Sequence, residues 1–141
     1  MTRLVFALLL GAAACPATEP TPPGGDVRLE FTAQELREPT PPTPGVRAEG
    51  GEGRITVWGV LDTPDPCRKL SGEIQADGTE LTLRVTTAPT GAVCVAVIGY
   101  FRYDAVLSGL GPGTYRLRVV QTYPGTGWET KTALDQSVTV R

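Results

Sequence analysis

The sequence contains no histidine. That absence removes the common Ser-His-Asp and Cys-His nucleophilic arrangements. It also removes haem attachment, most transition-metal ligation and the usual partners of zinc. Cysteine is almost as scarce: Cys15, Cys67 and Cys94 are the three, and no C-x-x-C pair occurs. Charge is low, with a formal net value of −2 and no basic run. Phosphate neutralisation therefore cannot supply the affinity for nucleic acid, nor polybasic attraction the adhesion to anionic lipid. No apolar run approaches the ~20 residues that span a bilayer as a helix. Glycine-rich phosphate loops, a G-x-S-x-G elbow, helical heptads, internal repeats and βαβ alternation are all missing. The expectation is a chain without a cofactor, a metal or a catalytic site. Carboxylates are the only catalytic residue type left to weigh.

What is present begins with a leader. Arg3 gives a short positive region, Leu4 to Leu10 form an unbroken apolar stretch, and Gly11-Ala12-Ala13-Ala14 supply small residues. These are the parts of a signal peptide over residues 1–14. An odd cysteine in an exported chain needs an explanation. The stretch Ala12-Ala13-Ala14-Cys15 resembles the lipobox of bacterial lipoproteins, in which the cysteine receives diacylglycerol. The resemblance implies lipid attachment (palmitate included) at Cys15, a place in the cell envelope and membrane contact through the lipid. Pro16 stands where Asp signals inner-membrane retention in proteobacterial lipoproteins, which favours the outer membrane. Ala12 departs from the usual Leu, and Ala12-x-Ala14 also satisfies the ordinary signal-peptidase rule. Soluble secretion with a free Cys15 thiol is the competing reading.

Prolines crowd the segment that follows. PATEPTPPGG, residues 16–25, reads as an extended tether with a reach on the order of 30 Å. In residues 26–38, Val27, Leu29 and Phe31 alternate as in a peripheral strand, and Thr32 to Glu35 resemble a capping box for one helical turn. PTPPTPG then forces an extended connection. Residues 15–45 are thus read as anchor and linker, and residues 46–141 as the folded domain.

From Val46 onward the pattern is β. Ile55, Val57, Gly59 and Leu61 share one face, while Thr56, Trp58 and Val60 share the other, as in a central strand. Residues 72–89 form a hairpin around Asp77-Gly78. Residues 93–110 are too long for one ordinary strand and are split at Gly99. Tyr115, Leu117 and Val119 alternate with Arg116 and Arg118, and residues 128–141 supply one or two closing strands. About seven short strands with regular turns predict an all-β antiparallel sandwich of immunoglobulin-like type, with a small open barrel as the alternative. The stretch SGLGPGTYRLRVV resembles the corner found in bacterial immunoglobulin-like and fibronectin-type-III-like modules. The resemblance implies a Tyr115 hydroxyl bonded back to the upstream backbone, and it speaks to fold alone.

In an exported domain, Cys67 and Cys94 are expected to form a disulfide, with two buried thiols as the alternative. Asp62 and Asp65, in LDTPDPC, could serve carboxylate chemistry or calcium, but a rigid turn bonded to local N–H groups is the simpler reading. Tyr123 and Trp128 flank the turn YPGTGW and are candidate partner contacts, or else a cross-strand pair. Tyr100 beside Phe101 poses the same choice. Two functions follow: a binding or structural module meeting an envelope protein or glycan, or a secreted accessory domain or weak hydrolase using Asp62, Asp65 and Asp104.

Overall fold

A computed structural model describes residues 26–141. The described residues form eight strands: β1 (Arg28–Glu35), β2 (Gly45–Gly50), β3 (Arg54–Thr63), β4 (Arg68–Asp77), β5 (Glu80–Pro89), β6 (Gly99–Ser108), β7 (Gly113–Thr122) and β8 (Lys131–Val140). They make two four-stranded sheets, ordered β1-β6-β3-β2 and β4-β5-β7-β8. The inward phases of β3, β5, β6 and β7 meet between them. Ile55, Val57 and Leu61 face Leu81, Leu83 and Val85, with Tyr103 and Tyr115 as the largest fully buried side chains. The β4–β5 hairpin turns at Gly78, whose φ of +59° suits a residue without Cβ. Along β7, the Tyr115 hydroxyl donates to the Gly111 carbonyl at 2.8 Å.

The all-β sandwich is the fold that the alternation implies, but one pairing is not antiparallel. β5 and β7 run parallel, with Leu81 opposite Leu117 and Leu83 opposite Val119. The chain leaves β5, crosses to the other sheet as β6, and returns. Two reversals bring β7 back in the direction of β5. The second sheet is therefore mixed, and the first is antiparallel throughout.

Three local expectations change. The helical turn at Thr32–Glu35 is strand: β1 pairs with β6 along its whole length, from Arg28 opposite Ser108 to Glu35 opposite Phe101. Phe31 stacks on Tyr103 with ring centroids 5.7 Å apart and lies over Gly72, where a Cβ would come within 2.5 Å of its ring. β1 is therefore an edge strand of the sandwich, which begins at Arg28 rather than at Val46. Residues 93–98, expected as strand, form a loop. β3 ends at Thr63, its last residue paired to β6, because Pro64 and Pro66 follow and lack the N–H a ladder needs. Beyond Gly99 the β6 side has no partner to bond. The closing segment is the single strand β8, with a register shift at Val119/Val120.

Candidate functional site

The alternation that buries Ile55 and Val57 turns Thr56, Trp58 and Val60 to the outside of the first sheet. Strand register then sets their neighbours. One row across the sheet reads Arg47, Trp58, Asp104, Thr32, and the next reads Gly45, Val60, Arg102, Gln34. The Arg47 guanidinium lies 4.7 Å over the Trp58 ring, a cation–π contact. Gly45 has no side chain, and a Cβ built there meets nothing within 4 Å. The missing bulk leaves an open groove of about 540 Å³ lined by Thr43, Arg47, Trp58, Val60, Arg102 and Asp104. That volume falls in the range of small-ligand sites. Among the described residues the ion pairs lie elsewhere, so Arg47, Arg102 and Asp104 keep their charge for a ligand. In the sequence Trp58 stands on the face opposite Ile55 and Val57, and no role attaches to it there. A large aromatic on the outward phase of a central strand was the signal.

The residues singled out in the sequence gather at the end of the sandwich where β3 stops. Cys67 and Cys94 form a disulfide with Cα atoms 5.8 Å apart. The Asp65 carboxylate accepts from Arg68 Nε at 2.9 Å, Arg68 Nη2 at 2.7 Å and the Cys67 N–H at 3.1 Å. Asp65 and both sulfurs lie close enough to share an ion. The sulfurs are bonded to each other, however, and offer no thiolate. Asp62 faces Lys131 at 4.0 Å. Asp62 sits opposite Tyr100 and Asp104 opposite Trp58, four residues further along β3. That is ~13 Å at strand rise, beyond the ~6–9 Å of a paired-carboxylate site. The three aspartates are not brought together.

The Arg68 hydrogen bonds hold the Asp65 carboxyl below its usual 3.8, against the opposing effect of desolvation. Asp135 is lowered in the same way, chiefly by hydrogen bonds from Arg116. A carboxyl depressed in the folded state contributes stability above its unfolded pKa, and loses it as pH falls through the folded value. Urea titration of the native chain should therefore show stability declining below about pH 4. Asp65→Asn should be less stable than the native chain at neutral pH, and the gap should close in acid. A gap of constant size would refute the pairing as its cause.

Tyr123 is turned inward. It is 4% exposed, its hydroxyl donates to Gln121 Oε1 at 3.4 Å, and Gln121 Nε2 donates to the Tyr103 hydroxyl at 3.3 Å. Burial pushes both tyrosines up to about 12, so both stay neutral at physiological pH. Half-buried Trp128 meets Tyr123 edge-on at 5.3 Å. The two rings pack on each other within the β7–β8 connection rather than across a strand pair, and Trp128 stays partly open. Cys15 lies outside the described residues.

The ORF11 beta-sandwich domain matches residues 57–130 of this sequence, from the middle of β3 to the start of β8. The chain belongs to that family. No curated protein and no solved structure matches it. Trp58, Arg102, Asp104 and the disulfide fall inside the family segment, whereas Arg47 and Gly45 on β2 are added by the flanking strand.

Proposed function

We propose that this ORF11-family sandwich is a binding module of the cell envelope. Lipid on Cys15 holds it to the membrane, the outer membrane by preference, and the groove beside Trp58 takes a carboxylate-bearing glycan. The observation that carries the reading is the groove itself: an indole edged by the Arg47 guanidinium stacked on one of its faces, Val60 beside it, and Arg102 and Asp104 with no ion pair among the described residues. Sugar rings present an apolar C–H face to an aromatic side chain and hydroxyls to planar polar groups. A sugar carboxylate matches the planar fork of an arginine. The net positive balance of Arg47 and Arg102 against Asp104 favours an acidic ligand. Residues 16–25 would serve as the spacer between lipid and domain.

Calorimetric titration with oligogalacturonate, and with a neutral glucan as control, tests the reading. The acidic oligomer is expected to bind and the neutral one to bind weakly or not at all. Trp58→Ala should weaken binding at least about tenfold, which is ~1.4 kcal/mol. Gly45→Leu, which fills the groove from an open position, should do the same. Trp128→Phe should leave affinity unchanged. Equal affinity in all four proteins would place the site elsewhere.

A further inference from the structure

Among the described residues, the large apolar side chains left in solvent collect in one loop, residues 92–98. Val93, Val95, Val97 and Ile98 are 103%, 65%, 55% and 48% exposed. The loop is held in this form. Cys94, between Val93 and Val95, is bonded to Cys67. The Thr90 N–H and hydroxyl both donate to the Cys67 carbonyl, at 3.0 and 3.2 Å. The Val97 N–H turns back onto the Val95 carbonyl at 2.9 Å, a three-residue turn. A covalent clamp and a tight turn thus keep aliphatic side chains pointing outward. A contiguous patch of this kind marks an interaction surface.

The chemistry around the patch selects the partner. Between Arg84 and Arg102 the sequence carries no charged residue. At this end of the sandwich Asp65 is paired with Arg68 at 2.7 Å and Asp62 with Lys131 at 4.0 Å, while Lys69 and Glu129 are exposed at its rim. Behind the loop, at the same end of the sandwich, stand half-buried Tyr100 and Trp128. Such amphipathic rings settle at the boundary between headgroups and hydrocarbon. An aliphatic loop that carries no charge of its own, backed by two half-buried aromatic rings, fits the surface of a lipid bilayer. We propose that the 92–98 loop inserts its valines and isoleucine into the acyl boundary of a bilayer, so that the sandwich stands on this end.

The position of the chain's entry is consistent with a second point of membrane contact. β1 starts opposite Ser108, at the far end of the sandwich, ~33 Å from the loop at strand rise. The eleven residue steps from Cys15 to Asp26 can span at most ~40 Å. An anchor at Cys15 and the loop can therefore reach the same membrane. The insertion does not depend on the anchor, nor on the glycan groove.

Vesicle flotation tests this with the full Cys15→Ser chain, which no lipid can anchor, and neutral phosphatidylcholine vesicles. Co-flotation is expected, and it should be the same at low and high salt because no charge drives it. The Val95→Asp, Val97→Asp double variant, altered only at solvent-facing positions, should partition at least about tenfold less. In a Trp58→Phe background, brominated acyl chains should quench Trp128, as a merely unstable variant could not explain. Absence of flotation, or equal flotation of the double variant, would overturn the proposal. So would self-association that the aspartates abolish without any flotation, since it assigns the loop to a second copy of the chain.

Discussion

Removing the Cys67–Cys94 bond, by reduction or by substituting both cysteines with serine, is expected to lower the unfolding free energy by about 3.5 kcal/mol. The bond closes a loop of sequence separation 27. The chain-entropy relation converts a closure of that size to about this value. The loop runs from the end of β3 through the whole β4–β5 hairpin to the start of β6, so the crosslink ties one sheet to the other. For a domain of this size the loss corresponds to a fall in Tm on the order of 12 °C. Differential scanning calorimetry of the oxidised and reduced forms gives the answer. A fall of only one or two degrees would mean that β-sheet pairing restrains the unfolded chain as much as the bond does. The same crosslink holds the apolar loop, so reduction should also weaken vesicle binding if the loop inserts into lipid.

The second large effect is expected at Gly59, a buried position on the inner face of β3. The Tyr103 ring from β6 lies directly across it, and a Cβ at Gly59 would overlap Tyr103 Cζ, Cε1 and the hydroxyl oxygen. The ring has no free direction in which to move. Its other contacts are the stack on Phe31 at 5.7 Å and the hydrogen bond from Gln121 Nε2 at 3.3 Å. Overpacking of a closed core costs ~1–3 kcal/mol, and alanine in a strand recovers ~0.5–1 kcal/mol of that through the unfolded chain. A net loss of about 1 kcal/mol, and up to about 2 where the core cannot relax, is therefore expected for Gly59→Ala, read from the urea midpoint. Gly45→Ala is the matched control. It sits on the neighbouring strand of the same sheet with open space above it, and the change should stay within about 0.5 kcal/mol. Similar changes at both glycines would show that the Tyr103 contact does not set the effect.

The inner faces of β3, β5, β6 and β7 were legible in the sequence because a half-buried strand writes its burial with period two. Ile55, Val57 and Leu61, or Phe101, Tyr103 and Leu107, cannot satisfy another pattern. The hairpin at Gly78 was legible because a two-residue turn demands a residue at ease with positive φ. Other features depended on partners distant in sequence. The parallel pairing of β5 with β7 follows from the path of β6 through the other sheet, and no local residue encodes it. Thr32 to Glu35 carry the letters of a capping box, yet eight residues of pairing with β6 outweigh one turn of helix. Residues 93–98 have the composition of a buried strand. They lie in solvent because two prolines end the strand that would have covered them.

The candidate site divides in the same way. The disulfide and the Asp65 turn could be read locally, since each closes within a short stretch or follows from redox chemistry. The Trp58 groove could not, because Arg47, Trp58 and Asp104 come from three strands and meet only through register. The most telling absence, Gly45's side chain, becomes a groove only when Val60 is placed opposite it. Tyr123 illustrates the converse. Its position beside a glycine-rich turn suggested a partner contact, but Gln121 and Tyr103 below it supply a hydrogen-bonded place inside.

The outer face of the first sheet is the surface proposed to meet a ligand. Chemical-shift mapping of the isotope-labelled chain during titration with oligogalacturonate tests this most directly. Shifts should concentrate on the amides of Gly45, Arg47, Val60 and Asp104 and on the Trp58 indole N–H, with Trp128 unmoved. Shifts that cluster instead on the 92–98 loop or the YPGTGW turn, or that never rise above the neutral-glucan control, would contradict it.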